Sequence, residues 1–504
     1  MKTFYLTSCF LLCIVARLFA YDPGEFLFDE TRIIKFSFTF YQEDYWQQLL
    51  DSRHTETYIK GDLHIDDISV SSVGVRLKGQ SSWQIPTNKK SIKIDIDEFL
   101  DQEFDGLDKM NLNNGFSDPT FLREKIFYDY CKEIGISAPR ANFAVVYINE
   151  TYFGLYTLVE EVEKKFLDNH FDDIDGNLYK GDPEGDLSYY GEAPHEYKKR
   201  YTVETNREDH DWTDLIELIK KINLSEADKF EQQVAGNLYI PNFLSYWSSL
   251  ILSSSLDSYI GSAHNYFLYN DEKSGKFYFI PWDCNETFGG YNYQSITGRN
   301  EMTVTVNYLP EGPEIRPLIE RWLADPVLKN YYYTEIYTQM QTWFNESYFF
   351  PKIDEYANLI REAVYTDSLK MYTDSLFELN LDTMVHVTGG IGGVKIPGLK
   401  DLITIRTKFI NAYFDSINFI PTPYVVNVPI PEVNHSSIVF YDNTLFIQTQ
   451  ESSLQIYSTS GNLMFEKVIH GAETLSLNKF SAGMYIYVLS TNREQTISGK
   501  CIRQ

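Results

Sequence analysis

Apolar and polar side chains alternate in short runs through residues 30–100. The stretches IIKFSFTF (33–40) and SIKIDIDEF (91–99) each place every second side chain on one face. A period of two is typical of β-strands with one buried face. This part of the chain is therefore predicted to be a β-sheet.

A different pattern follows in DPTFLREKIFYDYCKEIG, residues 118–135. Its large apolar side chains recur every four residues, which predicts one helix with a buried face. Asp118 is suited to cap the start of this helix, and Gly135 is suited to end it. A buried helix is predicted for NFLSYWSSLILSSSL, residues 242–256. Residues 312–380 and 398–417 are predicted to be mainly helical.

Two hairpins are predicted between and after these helices. The first covers residues 141–160, turns at Asn149-Glu150 and leads into a helix that starts around Glu160. The second is HNYFLYNDEKSGKFYFIPWD, residues 264–283, which turns at residues 271–275. Turn-forming residues between two strand-like runs are the basis of both predictions.

The composition changes near the C-terminus. Residues 419–437 contain four prolines and no helical period, so they are predicted to be a linker. Short alternating runs then predict a small β-sandwich over residues 438–504. The predicted main domain before the linker covers residues 30–415.

The N-terminus has the features of a secretory signal peptide, predicted here for residues 1–20. Lys2 precedes a short apolar run, and Ala20 offers a small residue for cleavage, although Arg17 is atypical there. No later stretch is long and apolar enough to predict a membrane span. The sequence therefore predicts an exported protein without a transmembrane segment.

Composition and charge narrow the possible functions. A length of 504 residues predicts two or three domains, and 16% aromatic residues indicate a globular protein. The aromatic excess fits a carbohydrate- or peptide-binding surface, but it fits a β-rich core better. A formal charge of −27 makes nucleic acid an unsuitable partner. The cysteines show no metal-binding spacing, so free buried thiols are expected after export.

Two acids and an amide are predicted to meet around the second hairpin. Asp257 follows the buried helix, Asn265 precedes the first strand, and Asp283 follows the second strand. Carboxylate and amide oxygens suit Mg²⁺ that is also bound by substrate phosphates. Phosphoryl transfer requires such a metal site, a carboxylate that orients the nucleophile and a cation that binds phosphate.

The phosphate-binding cation is predicted to be Lys90 or Lys93, which flank the start of a strand. Strand alternation favours Lys90, because it shares a face with two isoleucines. The preceding turn contains Ser81 and Ser82, which are candidates for covering phosphates. All four residues also fit an ordinary hairpin loop and an edge strand with charged side chains.

Less specific interpretations exist for other polar residues. An acid at a strand end, such as Asp283, is usually a cap or a solvated turn residue, and His264 fits a packing or hydrogen-bonding role better than that of a metal ligand. The acidic stretch DNHFDDIDGN, residues 168–177, lacks the terminal glutamate of an EF-hand. It is predicted to be a solvated loop.

Several motifs, taken in order, resemble the CotH family of spore-coat protein kinase-like proteins. They are VRLKGQSSW, KKSIKIDI, the segment 118–167, GNLYKGD, LDSYIGSAHNYFLY and GKFYFIPWDCNETFGG. The resemblance implies an α+β fold of the two-lobed, atypical protein-kinase type. It also implies an enzyme that uses ATP and Mg²⁺ or Mn²⁺ to phosphorylate Ser or Thr of exported proteins.

The resemblance implies roles for individual residues. Asp257 matches the catalytic acid, Asp283 and Asn265 match metal ligands, and Lys90 or Lys93 would bind phosphates. Glu124 would pair with that lysine, and residues 160–161 would lie near the hinge. Two departures are Asn285, where family members often have a second acid, and His264, where an amide is expected. They leave open a catalytically inactive protein that binds or builds structures at the cell surface.

Residues 454–504 resemble the C-terminal sorting domain of the Bacteroidetes type IX (Por) secretion system. The stretches IYSTSGNLMF, LSLNKFSAGMYIYVL and GKCI provide this resemblance. It implies passage through the periplasm by the type IX machinery and a location at the cell surface or in the medium.

Overall fold

A computed structural model of the chain describes residues 23–85, 87–207, 211–291, 300–310, 315–387, 394–424, 437–441, 444–458, 462–477, 480, 483–491 and 496–503. The predicted signal peptide and most of the predicted linker lie outside the described residues. The chain divides into two compact units, with the boundary between Thr422 and Pro423. Its fold class is mixed α and β. In the described part of the chain, no helix combines the length and apolarity that crossing a membrane requires.

The first unit begins with a closed barrel of seven strands in the order β1-β2-β3-β4-β5-β7-β6. β6 closes the barrel by pairing with β1 in parallel. The predicted alternation is present, since Phe36 and Phe38 of β1 are buried in the barrel core together with Ile92 and Ile94 of β4. The strands are β1 Ile34–Thr39, β2 Ile59–Ile65, β3 Ile68–Lys78, β4 Ser91–Asp95, β5 Lys109–Asn113, β6 Ala141–Ile148 and β7 Thr151–Glu160.

Two helices accompany the barrel, α1 Tyr45–Thr55 and α2 Arg123–Glu133. α2 begins later than the sequence suggests, because Asp118 organises the turn before it. The carboxylate of Asp118 accepts the backbone N–H groups of Thr120 and Arg123. Gly135, at φ +75°, follows the helix as predicted.

Both predicted hairpins are confirmed. The first joins β6 to β7 through Asn149 and Glu150, which adopt left-handed conformations as tight hairpin turns require. The helix predicted to start around Glu160 begins instead at Lys164, because Glu160 is still paired with Met110 of β5.

The second hairpin belongs to a four-stranded sheet in the order β11-β10-β8-β9. Its register pairs Tyr266 with Pro281 and Asp271 with Lys276. The open end of the hairpin, at Tyr266 and Pro281, is therefore separated from its turn by the full length of the strands. The strands are β8 Leu178–Gly181, β9 Tyr201–Val203, β10 Tyr266–Asp271 and β11 Lys276–Pro281.

The remainder of the first unit is mainly helical, as predicted. The ring of Trp247 stacks on Tyr332 at 3.5 Å and anchors α7 against α9. A short pair of strands, β12 Val385–Val387 and β13 Val394–Ile396, precedes the last helix. The helices are α3 Lys164–His170, α4 Pro194–Tyr197, α5 Thr213–Leu224, α6 Phe230–Val234, α7 Ile240–Leu252, α8 Pro317–Ala324, α9 Pro326–Thr342, α10 Glu346–Thr366, α11 Asp374–Asp382 and α12 Leu399–Ser416.

The described part of the second unit is all-β. Its long strand β15 pairs with β14, β16 and β17, and β17 pairs with β18, all antiparallel. Leu445, Leu454 and Ile456 belong to its small apolar core. The strands are β14 Ser437–Tyr441, β15 Thr444–Ser458, β16 Leu463–Ser476, β17 Gly483–Thr491 and β18 Thr496–Arg503. That these strands form a sandwich remains a prediction.

Candidate active site

The open end of the β10–β11 hairpin brings together the three residues predicted around it. Asn265 directly precedes β10, and Asp283 follows β11 after Trp282. The backbone N–H of Trp282 donates to the carbonyl of Asn265 at 3.1 Å, which extends the hairpin by one pair. Asp257 lies in the turn after α7 and contacts Asn265 directly. We call this region the acidic cleft.

The carboxylate of Asp257 is held on both of its oxygens. Nε2 of His264 lies 2.8 Å from Oδ1, and Nδ2 of Asn265 donates to Oδ2 at 2.8 Å. Asn265 also donates to the backbone carbonyl of Asp257 at 3.0 Å. Asn265 has a φ of +60°, a conformation that asparagine tolerates better than most residues. These contacts fix the orientation of the Asp257 side chain.

His264 thus has the hydrogen-bonding role that the sequence predicts as the alternative to packing. Burial disfavours its charged form, but the hydrogen bond and the charge of Asp257 raise the pKa of His264 above its usual value. A protonated His264 donates to Asp257 and offsets its negative charge.

Asp283 is exposed to solvent, but it also lines a small cavity beside Asp257. This partial removal from water raises the pKa of its carboxyl group. Lys78 acts in the opposite direction, and Asp257 raises the pKa further. The backbone at Asp283 is left-handed, with φ 53° and ψ 55°. Such a conformation is uncommon for a residue with a side chain and frequent at functional sites.

The lysine with the strongest influence on this acid is Lys78, which is not among the lysines predicted from the sequence. It is the last residue of β3, and its Nζ lies 5.6 Å from the ring centre of Trp282. Burial lowers the pKa of Lys78 to about 8, although the charges of Glu161, Asp283 and Glu124 oppose this change. The available signal was its position at a strand end, directly before Gly79 in VRLKGQ.

Glu124, predicted as an ion-pair partner of the phosphate-binding lysine, is buried in the first turn of α2. Its carboxylate accepts hydrogen bonds from Nδ2 of Asn113 at 2.9 Å and from the hydroxyl of Tyr128 at 3.3 Å. Burial and the negative charge of Asp283 raise the pKa of Glu124 to about 7, while Lys78 acts against the rise. Glu124, Lys78 and Asp283 therefore influence one another, although they come from three separate elements.

The other predicted lysines are engaged elsewhere. Nζ of Lys90 donates to the backbone carbonyls of Trp83 and Ile85 at 2.8 and 2.7 Å. Lys93 forms an ion pair with Glu161 at 2.8 Å. Lys93 thus touches the group around Lys78 through Glu161, while Lys90 stabilises the turn after β3.

The predicted phosphate-covering serines belong to that same turn. Ser82 begins a 3₁₀ helix, Ser82–Gln84, and Ser81 immediately precedes it. Gly79 has a φ of +107°, and a Cβ atom there would lie 2.2 Å from Oγ of Ser82. Glycine is therefore required for the tight exit of the chain from β3.

A third carboxylate is supplied by Glu286, one residue after Asn285, where the family pattern predicts an acid. Asn285 points away, and its Nδ2 donates to the carbonyl of Phe116 at 2.8 Å. The 3₁₀ turn Cys284–Glu286 brings Glu286 close enough to Asp257 for the two carboxyl groups to interact. Burial and the charge of Asp257 raise the pKa of Glu286 well above its usual value. The charged form of Glu286 is therefore disfavoured beside Asp257.

A small enclosed cavity of about 10 Å³ lies between these side chains. Its volume admits one water-sized particle. The polar part of its lining includes Asp257, Asn265, Asp283 and Glu286. Within the described residues, no group of three or more His, Cys, Asp or Glu side chains is arranged to hold a metal ion by itself. A cation bound here needs further oxygen ligands, such as those of a phosphate.

Comparisons with known protein families give two matches. A family model described as "CotH kinase protein" matches residues 75–388. A model described as "Secretion system C-terminal sorting domain" matches residues 429–504. The first match contains every side chain of the acidic cleft, and the second contains all described strands of the second unit.

Individual proteins give weaker similarities. The inner spore coat protein H of Bacillus subtilis is 27% identical over 308 residues, which cover 59% of this chain and 79% of that protein. Spore coat protein homolog 1 of Rhizopus delemar is 24% identical over 370 residues, covering 68% and 59%. A crystal structure of the proinflammatory kinase CtkA of Helicobacter pylori covers 65% of this chain and 95% of its own at 9% identity, with a TM-score of 0.31. A TM-score this low does not establish a common fold.

Proposed function

Because the chain belongs to the CotH kinase protein family, we propose that it is a protein kinase that phosphorylates Ser or Thr of exported proteins with ATP. Its sorting domain indicates export by the type IX secretion machinery to the cell surface or the medium. The acceptor proteins would therefore be encountered outside the cytoplasm.

The observation that carries this proposal is the mutual influence of Lys78, Glu124 and Asp283. A lysine at a strand end, a glutamate on the following helix and an acid after a hairpin correspond to the charged groups that protein kinases use in phosphoryl transfer. In this proposal Lys78, rather than Lys90, binds the phosphates of ATP. Glu124 positions Lys78, and Glu161 helps to keep it protonated.

The donor atoms of the acidic cleft fit a divalent cation that arrives with ATP. Asp283 and the amide oxygen of Asn265 offer hard oxygen ligands, and Glu286 adds a carboxylate beside them. The cation would supply neutralisation of the phosphate charge and orientation of the transferred group. Because the described residues offer no complete metal cage, the phosphates would provide the missing ligands.

Asp257 would orient the acceptor hydroxyl and accept its proton. Its carboxylate is fixed by His264 and Asn265, so little reorganisation is needed when the acceptor binds. Proton transfer requires the base to lie within hydrogen-bond reach of the hydroxyl. The Ser or Thr oxygen would then attack the terminal phosphorus as the bond to ADP breaks.

We also propose that the barrel with α2 and the mainly helical part of the first unit act as the two lobes of a kinase-like fold. Lys78 and Glu124 belong to the first part, whereas Asp257, Asn265 and Asp283 belong to the second. ATP would bind between them and bring the two sets of charges together.

Label transfer from ATP tests this proposal. Purified mature protein is incubated with labelled ATP and Mg²⁺ or Mn²⁺, and autophosphorylation and transfer to casein are measured. We expect Asp257→Asn to lower the rate by at least about 100-fold. The exposed Asp101→Asn is the matched control and should leave the rate unchanged. If the wild-type protein neither binds a fluorescent ATP analogue nor transfers label, the kinase proposal is wrong.

A second candidate function is a kinase-fold protein without catalysis that acts in binding or structure at the cell surface. It is favoured by Asn285, which donates to a backbone carbonyl where family members often have an acid. ATP binding without label transfer, unchanged in Asp257→Asn, would support this candidate.

A further inference from the structure

A second, larger cavity opens at the turn of the β10–β11 hairpin, at the opposite end of the hairpin from the acidic cleft. Its volume is about 540 Å³. Four segments form it: the residues after α2, the end of α3, the start of α7 and the hairpin turn. We call it the hairpin-turn cavity. It shares no lining residue with the small cavity between Asp257 and Glu286.

The lengths of β11 and α7 give the distance between the hairpin-turn cavity and the acidic cleft. β11 spans six residues between the hairpin turn and Trp282, which corresponds to about 20 Å in an extended strand. α7 runs for 13 residues from Tyr239, beside the cavity, towards Asp257, which also corresponds to about 20 Å. The two estimates agree, so a ligand in the hairpin-turn cavity does not touch the acidic cleft.

One wall of the cavity is aromatic. The ring of Tyr278 lies 5.1 Å from that of Tyr239 and 5.3 Å from that of Phe171, measured between centres. Tyr239 is 39% exposed, and the other two rings are half-buried. This wall offers a surface for an apolar side chain and for the flat face of a guanidinium group.

The rim of the cavity is acidic. The segments 168–175 and 271–275, which contribute to it, contain six acidic residues and one lysine. Asp172 and Lys273 form an exposed ion pair at 2.5 Å. Oδ2 of Asp173 accepts the backbone N–H of Glu272, which ties the two segments together. The acidic stretch that the sequence suggested to be a solvated loop thus borders a cavity.

One carboxylate in the lining is incompletely satisfied. Asp271 is 8% exposed, and its Oδ2 accepts the N–H of Ser274 at 3.2 Å. Its Oδ1 is buried and has no hydrogen-bond partner among the described residues. A buried charge with incomplete hydrogen bonding favours a cation nearby. The excess of acidic over basic residues in the rim also favours a cation there.

We infer that the hairpin-turn cavity is a docking site for a basic and apolar peptide segment of a partner protein. A large aliphatic or aromatic side chain would pack against Tyr239 and Tyr278. Arginine or lysine beside it would bind the acidic rim, where guanidinium groups form strong hydrogen bonds with carboxylates. The formal charge of −27 on the whole chain would speed the approach of such a partner.

If the proposed kinase function holds, this site recruits the acceptor protein, and only this consequence rests on that function. The separation of about 20 Å then requires about six or more extended residues between the docking segment and the phosphorylated Ser or Thr. Peptide binding itself requires neither ATP nor Asp257.

A random-peptide display library tests the inference without ATP. Peptides are selected on the full-length protein and counter-selected on a Tyr239→Ser variant, whose fold is checked by circular dichroism. We expect enrichment of peptides that combine Arg or Lys with Leu, Ile or Phe. A labelled enriched peptide should bind Tyr239→Ser about tenfold more weakly in fluorescence anisotropy, and Asp172→Asn about threefold more weakly.

Tyr41→Ser is the matched control, because Tyr41 is 76% exposed on the barrel side. It should leave peptide affinity unchanged, as should Asp257→Asn. Added salt should weaken peptide binding, because the contacts at the acidic rim are exposed to solvent. The inference is overturned by failure to enrich any peptide, by enrichment of acidic peptides or by equal affinity for Tyr239→Ser. Displacement of the peptide by a neutral oligosaccharide would identify a carbohydrate site instead. A protein that binds the peptide but does not bind ATP would refute only the kinase proposal.

Discussion

Two lysines of the first unit have equally lowered pKa values but different surroundings. Burial lowers the pKa of both Lys78 and Lys89 to about 8. Lys89 is fully buried and contacts the carboxylate of Asp367, which is fully buried as well. Lys78 is half-buried and faces three carboxylates, those of Glu161, Asp283 and Glu124.

The difference lies in how completely the negative partners are satisfied. Oδ2 of Asp367 also accepts the backbone N–H of Leu155, and its Oδ1 accepts that of Leu369. Around Lys78, by contrast, Asp283 raises the pKa of Glu124, so negative charges crowd one another. A satisfied ion pair stabilises a fold, whereas like charges held close together cost stability and are typical of functional sites.

The largest effect on stability is expected when the ion pair between Lys89 and Asp367 is broken. Asp367→Asn leaves the ammonium of Lys89 buried without a countercharge, so we expect a loss of about 3 to 5 kcal/mol in the free energy of unfolding. Urea unfolding, followed by circular dichroism, measures it. Lys89→Met in the same chain should recover part of the loss, because it removes the uncompensated charge. A loss below about 1 kcal/mol would show that the pair is not an important source of stability.

The next largest effect is expected on activity, when Lys78 is replaced. If Lys78 binds the phosphates, Lys78→Met should lower kcat/KM for labelled ATP by about 100-fold, which corresponds to about 2.7 kcal/mol. Its free energy of unfolding should change by only about 1 kcal/mol, because Lys78 is partly solvated. The lysine variant thus affects activity more than stability, opposite to Asp367→Asn.

Lys90→Met is the matched control for that experiment. Lys90 donates to two backbone carbonyls of the turn after β3, so its loss should weaken stability but leave kcat/KM within about threefold. The reverse result, with activity lost in Lys90→Met and kept in Lys78→Met, would restore the prediction made from the sequence alone.

The sequence predicted the elements of the site better than its individual charges. Turn chemistry at Asn149-Glu150 and at residues 271–275 was sufficient to locate both hairpins. The second hairpin then implied that Asn265 and Asp283 are neighbours, because antiparallel strands pair end to end. These predictions depend on local rules that act over a few residues.

The charged partners depend on tertiary geometry, which such rules do not contain. Strand alternation assigned a face to Lys90 but did not reveal that its side chain bends back to Trp83 and Ile85. Likewise, the 3₁₀ turn after Asp283 directs Glu286 towards Asp257 and Asn285 towards Phe116. The acidic side chain at this turn therefore comes from residue 286 and not from residue 285, where the family pattern predicts it.

The smallest expected effect is the pH dependence that Glu124 contributes. Its pKa is about 7 in the folded protein against 4.5 for an ordinary glutamate, so the folded state binds more protons between these values. The stability that Glu124 contributes is then largest below pH 4.5 and is lost as the pH rises through 7. Between pH 5 and 7 the two pKa values correspond to a decrease of about 2 kcal/mol. Glu124→Gln should reduce the measured decrease in the free energy of unfolding by this amount, whereas Glu150→Gln, in the exposed β6–β7 turn, should not change it. An identical pH profile for wild type and Glu124→Gln would mean that burial and Asp283 do not raise the pKa of Glu124. The contrast between the two lysines would then be smaller than proposed.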